Sequence, residues 1–522
     1  MGEEAFYRAL AAELGVAFVR DPVLGPLADF PNSILSGLAP LEGGGGRFVR
    51  APAGEDLARL LASRRAFGPA LAITTPSALR RAVFRAHSGR IADFAANELP
   101  DRTALLSYRG QITALQIVVG SLAAAGLAAA ATRSWNATTA VLALGLAPLF
   151  LGMVVLRLAA AVETVIGPPA RPLPRPRDAA LPVYTVIVAL HREGRVIGQL
   201  VEALCRLDYP PAKLDIKLVI ETGDRETADA LARLALPAHI QVLTAPPGHP
   251  RTKPRALNVA LPLARGALTV VYDADDRPDP GQLRDAVAAF AHLPRRIACL
   301  QARLAIDNAD QNLLTRLFAL EYAALFEAIN PGLLGMGHPI PLGGTSNHFR
   351  TRVLQEACGW DAWNVTEDAD LGVRLARAGY GIADLPSRTL EEAPGTLRGW
   401  LRQRTRWIKG FMQTCLTHSR QPLVAVRQLG LAGAFALATT ILGTVLSALG
   451  YPVFLGLLLL DLLDGRLLAP QGPLAIALST LSLVLFGTGV AAIMVRRSRP
   501  CASGATGASS PACRCSRSIT PS

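Results

Sequence analysis

Apolar positions along this chain change their spacing several times, and each change marks a boundary. Over residues 1–100 they follow short mixed periods. "EAFYRALAAELGVAFV" reads as a helix and then a short strand, and "PALAITTPSALRRAVFRAH" as a strand, a cap at Thr75 or Ser77, and a helix. Gly43–Gly46 is a flexible turn. Two apolar runs follow, Ile112–Thr132 and Thr139–Val162, parted only by "RSWNAT". Each is near the roughly 20 residues that span a bilayer as a helix, so 108–162 is predicted to be a membrane hairpin. Residues 168–180, rich in Pro and Arg, form a stiff linker.

From Leu181 the pattern alternates. "PVYTVIVAL", "DIKLVIE", "IQVLTA" and "ALTVVYD" are buried strands, and "VIGQLVEALCRL", "ETADALARLAL" and "PRALNVALPLAR" are helices between them. That order predicts a parallel sheet with helices on both faces over 181–400, and ligands of such sheets bind at the carboxyl ends of the strands. Trp400–Thr417, within 400–420, is amphipathic, basic and aromatic, and suits a membrane interface. Residues 428–496 hold further apolar runs: Leu429–Leu463, broken by Gly450-Tyr451-Pro452, and Leu474–Val495. Whether the first crosses once or twice stays open, since two crossings would put Arg496, Arg497 and Arg499 outside. The tail, 497–522, is low-complexity and expected to be disordered.

Composition agrees with a membrane protein that has a large polar middle. Of 522 residues 51% are hydrophobic and 18% charged, and the mean hydropathy is +0.31. The net charge of +13 suits anionic lipid headgroups or an anionic substrate better than nucleic acid. Arg102 and Arg109 before the hairpin and Arg171, Arg175 and Arg177 after it place both flanks in the cytosol. The N-terminus lacks a basic start and an apolar core, so no secretory signal is expected. Seven scattered cysteines, including Cys513 and Cys515 in the tail, show no metal spacing and read as reduced thiols.

The chemistry concentrates where the fourth strand ends, at Asp273-Ala274-Asp275 with Asp276 beside it. Alternate carboxylates in an extended or turning backbone can meet one cation, and Mg²⁺ or Mn²⁺ completes such a shell with substrate phosphates. A solvated acidic turn would look the same in isolation. Four other motifs change the weighing: Glu221 and Asp224 in "VIETGDRET", Lys253 in "KPRALN", Thr366-Glu367-Asp368, and Gln403, Arg406 and Trp407 in "QRTRW".

With these motifs in this order, Leu181–Thr417 resembles the processive, cellulose-synthase-like family 2 glycosyltransferases. The resemblance implies an α/β fold: a GT-A type nucleotide-diphospho-sugar transferase domain between transmembrane helices, here with a small N-terminal α+β domain. It implies that Asp224, with Glu221 and Glu193, lines the nucleotide pocket, and that Lys253 faces the diphosphate. Asp273 and Asp275 would hold Mg²⁺ or Mn²⁺, Asp273 also touching the nucleotide. Asp368 would be the base beside Glu367, and Arg406 would face the diphosphate, with Gln403 and Trp407 at the acceptor. Thr345 and His348, in "PLGGTSNHFR", fall in the loop that lies near the acceptor in that family. Plain alternatives stand beside these roles: a capping carboxylate for Asp368, an interfacial anchor for Trp407, a satisfied structural histidine for His348. The N-terminal region is similar in pattern to the N-terminal domain of type II secretion ATPases, which implies a docking module for export machinery. "ETGD" departs from the usual acidic run, and no PilZ-type domain follows the last helices.

The expectation is an inverting transferase in the bacterial inner membrane, its catalytic domain cytosolic. It would pass glucose or N-acetylglucosamine from a UDP-sugar to a growing β-linked polysaccharide. The alternatives are transfer of one sugar to a lipid or short glycan, and an inactive membrane assembly or receptor component.

Overall fold

A computed structural model describes residues 2–42, 47–62, 70–167 and 173–463, with isolated positions Gly465, Gly472, Ile476 and Thr480. The Gly43–Gly46 turn, Arg171, the tail and, apart from Ile476 and Thr480, the Leu474–Val495 span fall outside the described residues.

The N-terminal unit is α+β. Strands β1 (Ala17–Phe18), β2 (Leu38–Pro40), β3 (Phe48–Arg50) and β4 (Leu71–Ile73) form a sheet in the order β1-β4-β3-β2. Of the two predicted caps, Thr75 is used: its side chain accepts from Ala78 N and opens the helix Pro76–Ala86. The next helix, Ser88–Arg102, leaves this unit and packs on the main domain. Its Ile91 and Ala95 share an apolar cluster with Leu257 and Val259, and Asn258 Nδ2 donates to Ala95 O at 2.9 Å.

Among the described residues, four helices are long and apolar enough to cross a membrane: Ala114–Arg133, Leu144–Ile166, Leu313–Gly335 and Pro422–Gly450. They are consistent with a membrane protein. The first two belong to the predicted hairpin, whose first helix opens with a Thr113–Gln116 capping box. The Leu313–Gly335 helix was not expected. The expected break at Gly450-Tyr451-Pro452 is corrected: the helix Gly443–Leu463 runs through it. The chain bends instead at Gly430 (φ 70°, ψ 166°), a conformation glycine adopts without steric penalty.

The main domain is built on eight strands in the order β7-β6-β5-β8-β11-β10-β12-β9. The predicted strands are β5 (Tyr184–Leu190), β6 (Leu214–Glu221), β7 (Ile240–Ala245) and β8 (Leu268–Tyr272), all parallel. They are largely apolar because helices cover both faces, with the buried Asp215–Lys217 pair of β6 as an exception. The rest of the sheet is mixed: β9 (Arg277–Pro278), β10 (Ile297–Ile306), β11 (Asn347–Arg350) and β12 (Gly381–Glu391), with β11 antiparallel to β8 and β10. The fully parallel expectation therefore holds for one half of the sheet. Antiparallel β11 brings the "GGTS" turn back beside the end of β8, where the acidic motif lies.

The membrane hairpin is fastened to the helix Leu397–His418. Gln116 Nε2 donates to Leu416 O at 2.8 Å, and Arg420 donates to Ser107 O at 2.8 Å and Gln111 O at 2.6 Å. Asp361 accepts from Ser107 Oγ at 3.0 Å and Tyr108 N at 2.6 Å.

Candidate active site

The carboxyl ends of β5, β6 and β8 open on one side of the sheet. At the end of β8 the chain turns on Asp276, whose Oδ2 accepts from Asp273 N at 2.6 Å and from Thr345 Oγ1. That turn leaves Asp273 and Asp275 facing outward. Lys253, first residue of the helix Lys253–Ala260, pairs with Asp273 and donates to Gly344 O at 2.8 Å. Burial opposes its charge, yet the Asp273, Glu367 and Asp368 carboxylates hold Lys253 above its ordinary value.

The surrounding carboxylates strain against one another. Burial and then Asp273 push Asp275 and Asp276 up. Burial and then Asp276, Asp273 and Asp275 push Glu391 up, and burial with Asp275 and Asp273 does the same to Glu193. Asp276 Oδ1 and Glu391 Oε1 are buried with no hydrogen-bond partner among the described residues. Hard oxygen donors that lack partners and repel each other fit a divalent cation. Among the described residues no three His, Cys, Asp or Glu side chains form a ready-made cage. Asp273 and Asp275 are the outward-facing carboxylates that could hold such a cation, which would need its other ligands from water or a bound anion.

Opposite this cluster, the helix Glu367–Arg377 begins at Thr366. Thr366 sits at the N-cap position, but its side chain does not cap the helix; Asn364 Oδ1 accepts from Thr366 N at 3.0 Å. The Leu397–His418 helix clamps this turn. Gln413 Oε1 accepts from Val365 N at 3.0 Å, and Asn364 Nδ2 donates to Thr414 Oγ1 at 3.0 Å. A Cβ at Gly410 would overlap Thr366, so only glycine permits the approach. Burial and the neighbouring Asp368 push Glu367 up to about 8. Burial also raises Asp368, against the opposing pull of the Ala369 amide, Lys253 and Arg406. A carboxylate raised in this way is a stronger base. Gly344 lies alongside, and a Cβ there would stand 3.3 Å from Asp368 Oδ2.

"QRTRW" splits its side chains. Arg406 is exposed on the side of Asp368. Gln403 Oε1 is buried and has no hydrogen-bond partner among the described residues. Trp407 stacks on Tyr322, centroids 6.5 Å apart at 29°.

Several expected contacts are corrected. His348 is fully buried on β11, Nδ1 against Tyr184 Oη at 2.7 Å and Nε2 against Gln282 Oε1 at 3.1 Å, and burial pushes it down to about 3. It is a core histidine with no access to an acceptor. Thr345 is buried too and reaches the site only through Asp276. Glu221 accepts from buried Arg255 at 2.6 Å through Oε2, while its Oε1 is buried with no hydrogen-bond partner among the described residues. Asp224 accepts from Arg192 N at 2.7 Å and Thr227 N at 3.2 Å. Burial works the other way, but these amides hold it below its usual value, so it ties together the two turns that flank Glu193.

The sequence reading noted Asp276 but gave it no role, and it missed Glu391 and Arg404. Glu391 ends the strand β12 as Asp273 follows β8, and that shared signature was available. Arg404 lies over the Trp407, Phe318 and Trp400 rings at 4.7, 4.9 and 5.3 Å. Trp400, Arg404 and Trp407 are spaced for one helix face.

The family described as Glycosyltransferase like family 2 matches residues 182–410. A probable glycosyltransferase, YdaM, of Bacillus subtilis is 29% identical over 233 residues, 44% of this chain and 55% of that protein. A beta-monoglucosyldiacylglycerol synthase of Trichormus variabilis is 29% identical over 246 residues, 46% of this chain and 51% of that one. A glucomannan 4-beta-mannosyltransferase of Arabidopsis thaliana is 27% identical over 248 residues, 44% of each chain. The chain thus spans about half the length of the curated relatives it matches. Among solved structures, the mannosyltransferase PcManGT of Pyrobaculum calidifontis, in complex with GDP-Man and Mn²⁺, superposes with a TM-score of 0.41 at 20% identity, over 69% of this chain and 99% of its own. The stretch 182–410, a mixed α/β sheet with its carboxylates gathered at the strand ends, matches the glycosyltransferase family 2 description and has a GT-A-like fold.

Proposed function

We propose that this protein transfers a sugar, with inversion, from a UDP-sugar of the glucose or N-acetylglucosamine type to a hydroxyl of a membrane-held lipid. The observation that carries the reading is the meeting of Asp368 with the Lys253–Asp273 pair and with Arg406 across one opening. The acceptor oxygen attacks the anomeric carbon and Asp368 takes its proton. The bond to the diphosphate breaks on the opposite face, and Lys253 and Arg406 meet the departing charge. A divalent cation, Mg²⁺ or Mn²⁺, on Asp273 and Asp275 would supply further positive charge to the diphosphate. Glu193 and the turns tied by Asp224 would seat the nucleotide.

Two features support a lipid acceptor. The diacylglycerol-glucoside synthase is among the more similar relatives. Exposed Leu313, Leu317, Leu397 and Leu401 lie on the two helices that carry the aromatic cluster beside the opening. A polysaccharide acceptor is the second reading, supported by the Gln403–Arg406–Trp407 arrangement and by the glucomannan relative. Arginines flanking the hairpin support a cytosolic face of a bacterial inner membrane. The N-terminal unit stays open to an export-machinery partner.

Membranes carrying the protein, given radiolabelled UDP-glucose or UDP-N-acetylglucosamine with Mg²⁺ or Mn²⁺, test this. Label extracted into organic solvent, absent with Asp368→Asn, supports the lipid reading. Insoluble polymer supports the second. No turnover with any donor and metal would return the protein to an inactive assembly component.

A further inference from the structure

A cleft of about 440 Å³ lies between the Pro76–Ala86 helix of the N-terminal unit and the open edge of the transferase sheet. Arg80, Arg81 and Arg85 line one wall, with Thr222, Thr244 and Pro246 on the other, and no Asp or Glu lines it. Ile216 N donates to His239 O at 2.9 Å and Thr222 N to Ala245 O at 3.3 Å. Odd-numbered positions of β7 therefore face β6, and Val242 and Thr244 turn their N–H and C=O groups toward the cleft. Arg85 is shared with Asp21 at 3.4 Å. Half-buried Arg80 and exposed Arg81 have no hydrogen bond or ion pair among the described residues. Burial pushes Arg80 down, against the pull of Glu3, whose carboxylate accepts from Ser77 N at 3.2 Å, and of Asp215. A half-buried guanidinium without an acceptor is unfavourable until one arrives.

We propose that this cleft binds a small, soluble phosphate-bearing molecule between the two units. Arginine forks match phosphate oxygens in pairs, and the Ser77 and Ser88 hydroxyls and the open amides of β7 add uncharged donors. An open sheet edge more often receives another strand. Here the Pro76–Ala86 helix roofs it and leaves a volume in the range of small-molecule sites. The occupant would touch Thr222, in the turn that ends at Asp224. Arg255 links the far side of that turn to the cleft wall, donating to Glu221 and, at 2.8 Å, to Pro246 O. Occupancy would thus set the turn beneath Glu193.

Calorimetric titration of the full chain in detergent, in phosphate-free buffer with EDTA, decides this, using inorganic pyrophosphate and glucose 1-phosphate as probes. Saturable binding is expected. Arg80→Ala/Arg81→Ala should weaken it about tenfold or more, and Asp273→Asn/Arg406→Ala should leave it unchanged. Ser88→Glu, which adds repulsion at the rim without deleting an arginine, should also weaken it, and thermal melts verify that each variant is folded. The proposal is overturned by absence of saturable binding, by unchanged affinity in the folded arginine and Ser88 variants, or by loss confined to the Asp273/Arg406 variant. Binding only to phosphatidic acid vesicles, with none of the soluble probes, would overturn it in favour of a lipid headgroup.

Discussion

Two buried carboxylates sit at opposite ends of the central sheet. Asp215, near the start of β6, accepts from Thr185 Oγ1 at 2.9 Å, Lys217 Nζ at 3.1 Å, and Arg265 N and Nε at 3.1 Å each. Burial opposes its charge, but those partners hold it below its ordinary value. Asp276, just past the end of β8, is as deeply buried, yet one of its oxygens has no partner and burial and Asp273 push it up. Asp370 resembles the first: Arg374 at 2.7 Å and His418 at 3.0 Å hold it down against burial. Glu367 and Glu391 resemble the second. The difference separates two uses of buried charge. A carboxylate whose lone pairs are filled by its own chain belongs to the fold; one left short of partners is waiting for something the chain does not supply. Here Asp276, Glu367 and Glu391 gather at one end of the sheet.

The sharpest break in that comparison comes from turnover. Asp368→Asn should lower kcat by about 10²–10⁴-fold, the usual worth of a positioned base, with melting temperature unchanged or slightly raised. Asp215→Ala should do the reverse. It leaves Lys217, itself 2% exposed, without its counter-charge. A loss of about 3–5 kcal/mol in unfolding free energy is expected, read from denaturant melts of detergent-solubilised protein, with the kcat of the surviving folded fraction near wild type. If both variants lost stability alike, the two classes would collapse into one.

What could be read in advance follows the same division. Strands β5 to β8 were legible because a strand buried on both faces is mostly apolar, even with the Asp215–Lys217 pair in β6, and the acidic turn stood out against it. β11 was not legible. Its "NHFR" looks like a polar loop, because its buried polar side chains are satisfied by partners far away in sequence, Tyr184 and Gln282 for His348. Glu391 escaped because one carboxylate at a strand end means little until the sheet order places β12 two strands beyond β11. Asp224 and Glu221 were rightly placed near a strand end, but spacing cannot say whether a carboxylate will face a ligand or its own backbone.

Stability against pH sharpens the contrast. Glu367 has its folded value raised from 4.5 to about 8, so the folded state holds its proton more tightly than the unfolded chain. Its contribution is fully present below about 4.5 and is lost as pH rises toward 8. Asp215 and Asp370, both lowered, act in the opposite sense: their stabilisation is present above the ordinary aspartate range and is lost as pH falls through their folded values. Metal-free protein should therefore lose stability between pH 5 and pH 8, by at most about 1.4 kcal/mol per pH unit from this one group. Glu367→Gln should flatten that slope. An identical slope in both proteins would remove Glu367 from the strained class.

The smallest effect expected is that of His348→Gln. His348 occupies a position where the sequence admitted either an acceptor contact or a core role, and its ring bridges Tyr184 Oη and Gln282 Oε1 with no exposed surface. Burial pushes it down to about 3, so the ring stays neutral across the working range and adds nothing to the pH profile. Glutamine can keep one of the two bonds but not both. The expected loss is about 1 kcal/mol of stability, the net worth of a single hydrogen bond, with the KM for acceptor unchanged. Steady-state assays at varied acceptor concentration check this directly. A rise in acceptor KM with melting unchanged would mean that β11 opens to substrate during turnover. His348 would then belong with the carboxylates at the mouth of the sheet rather than with Asp215 in its interior.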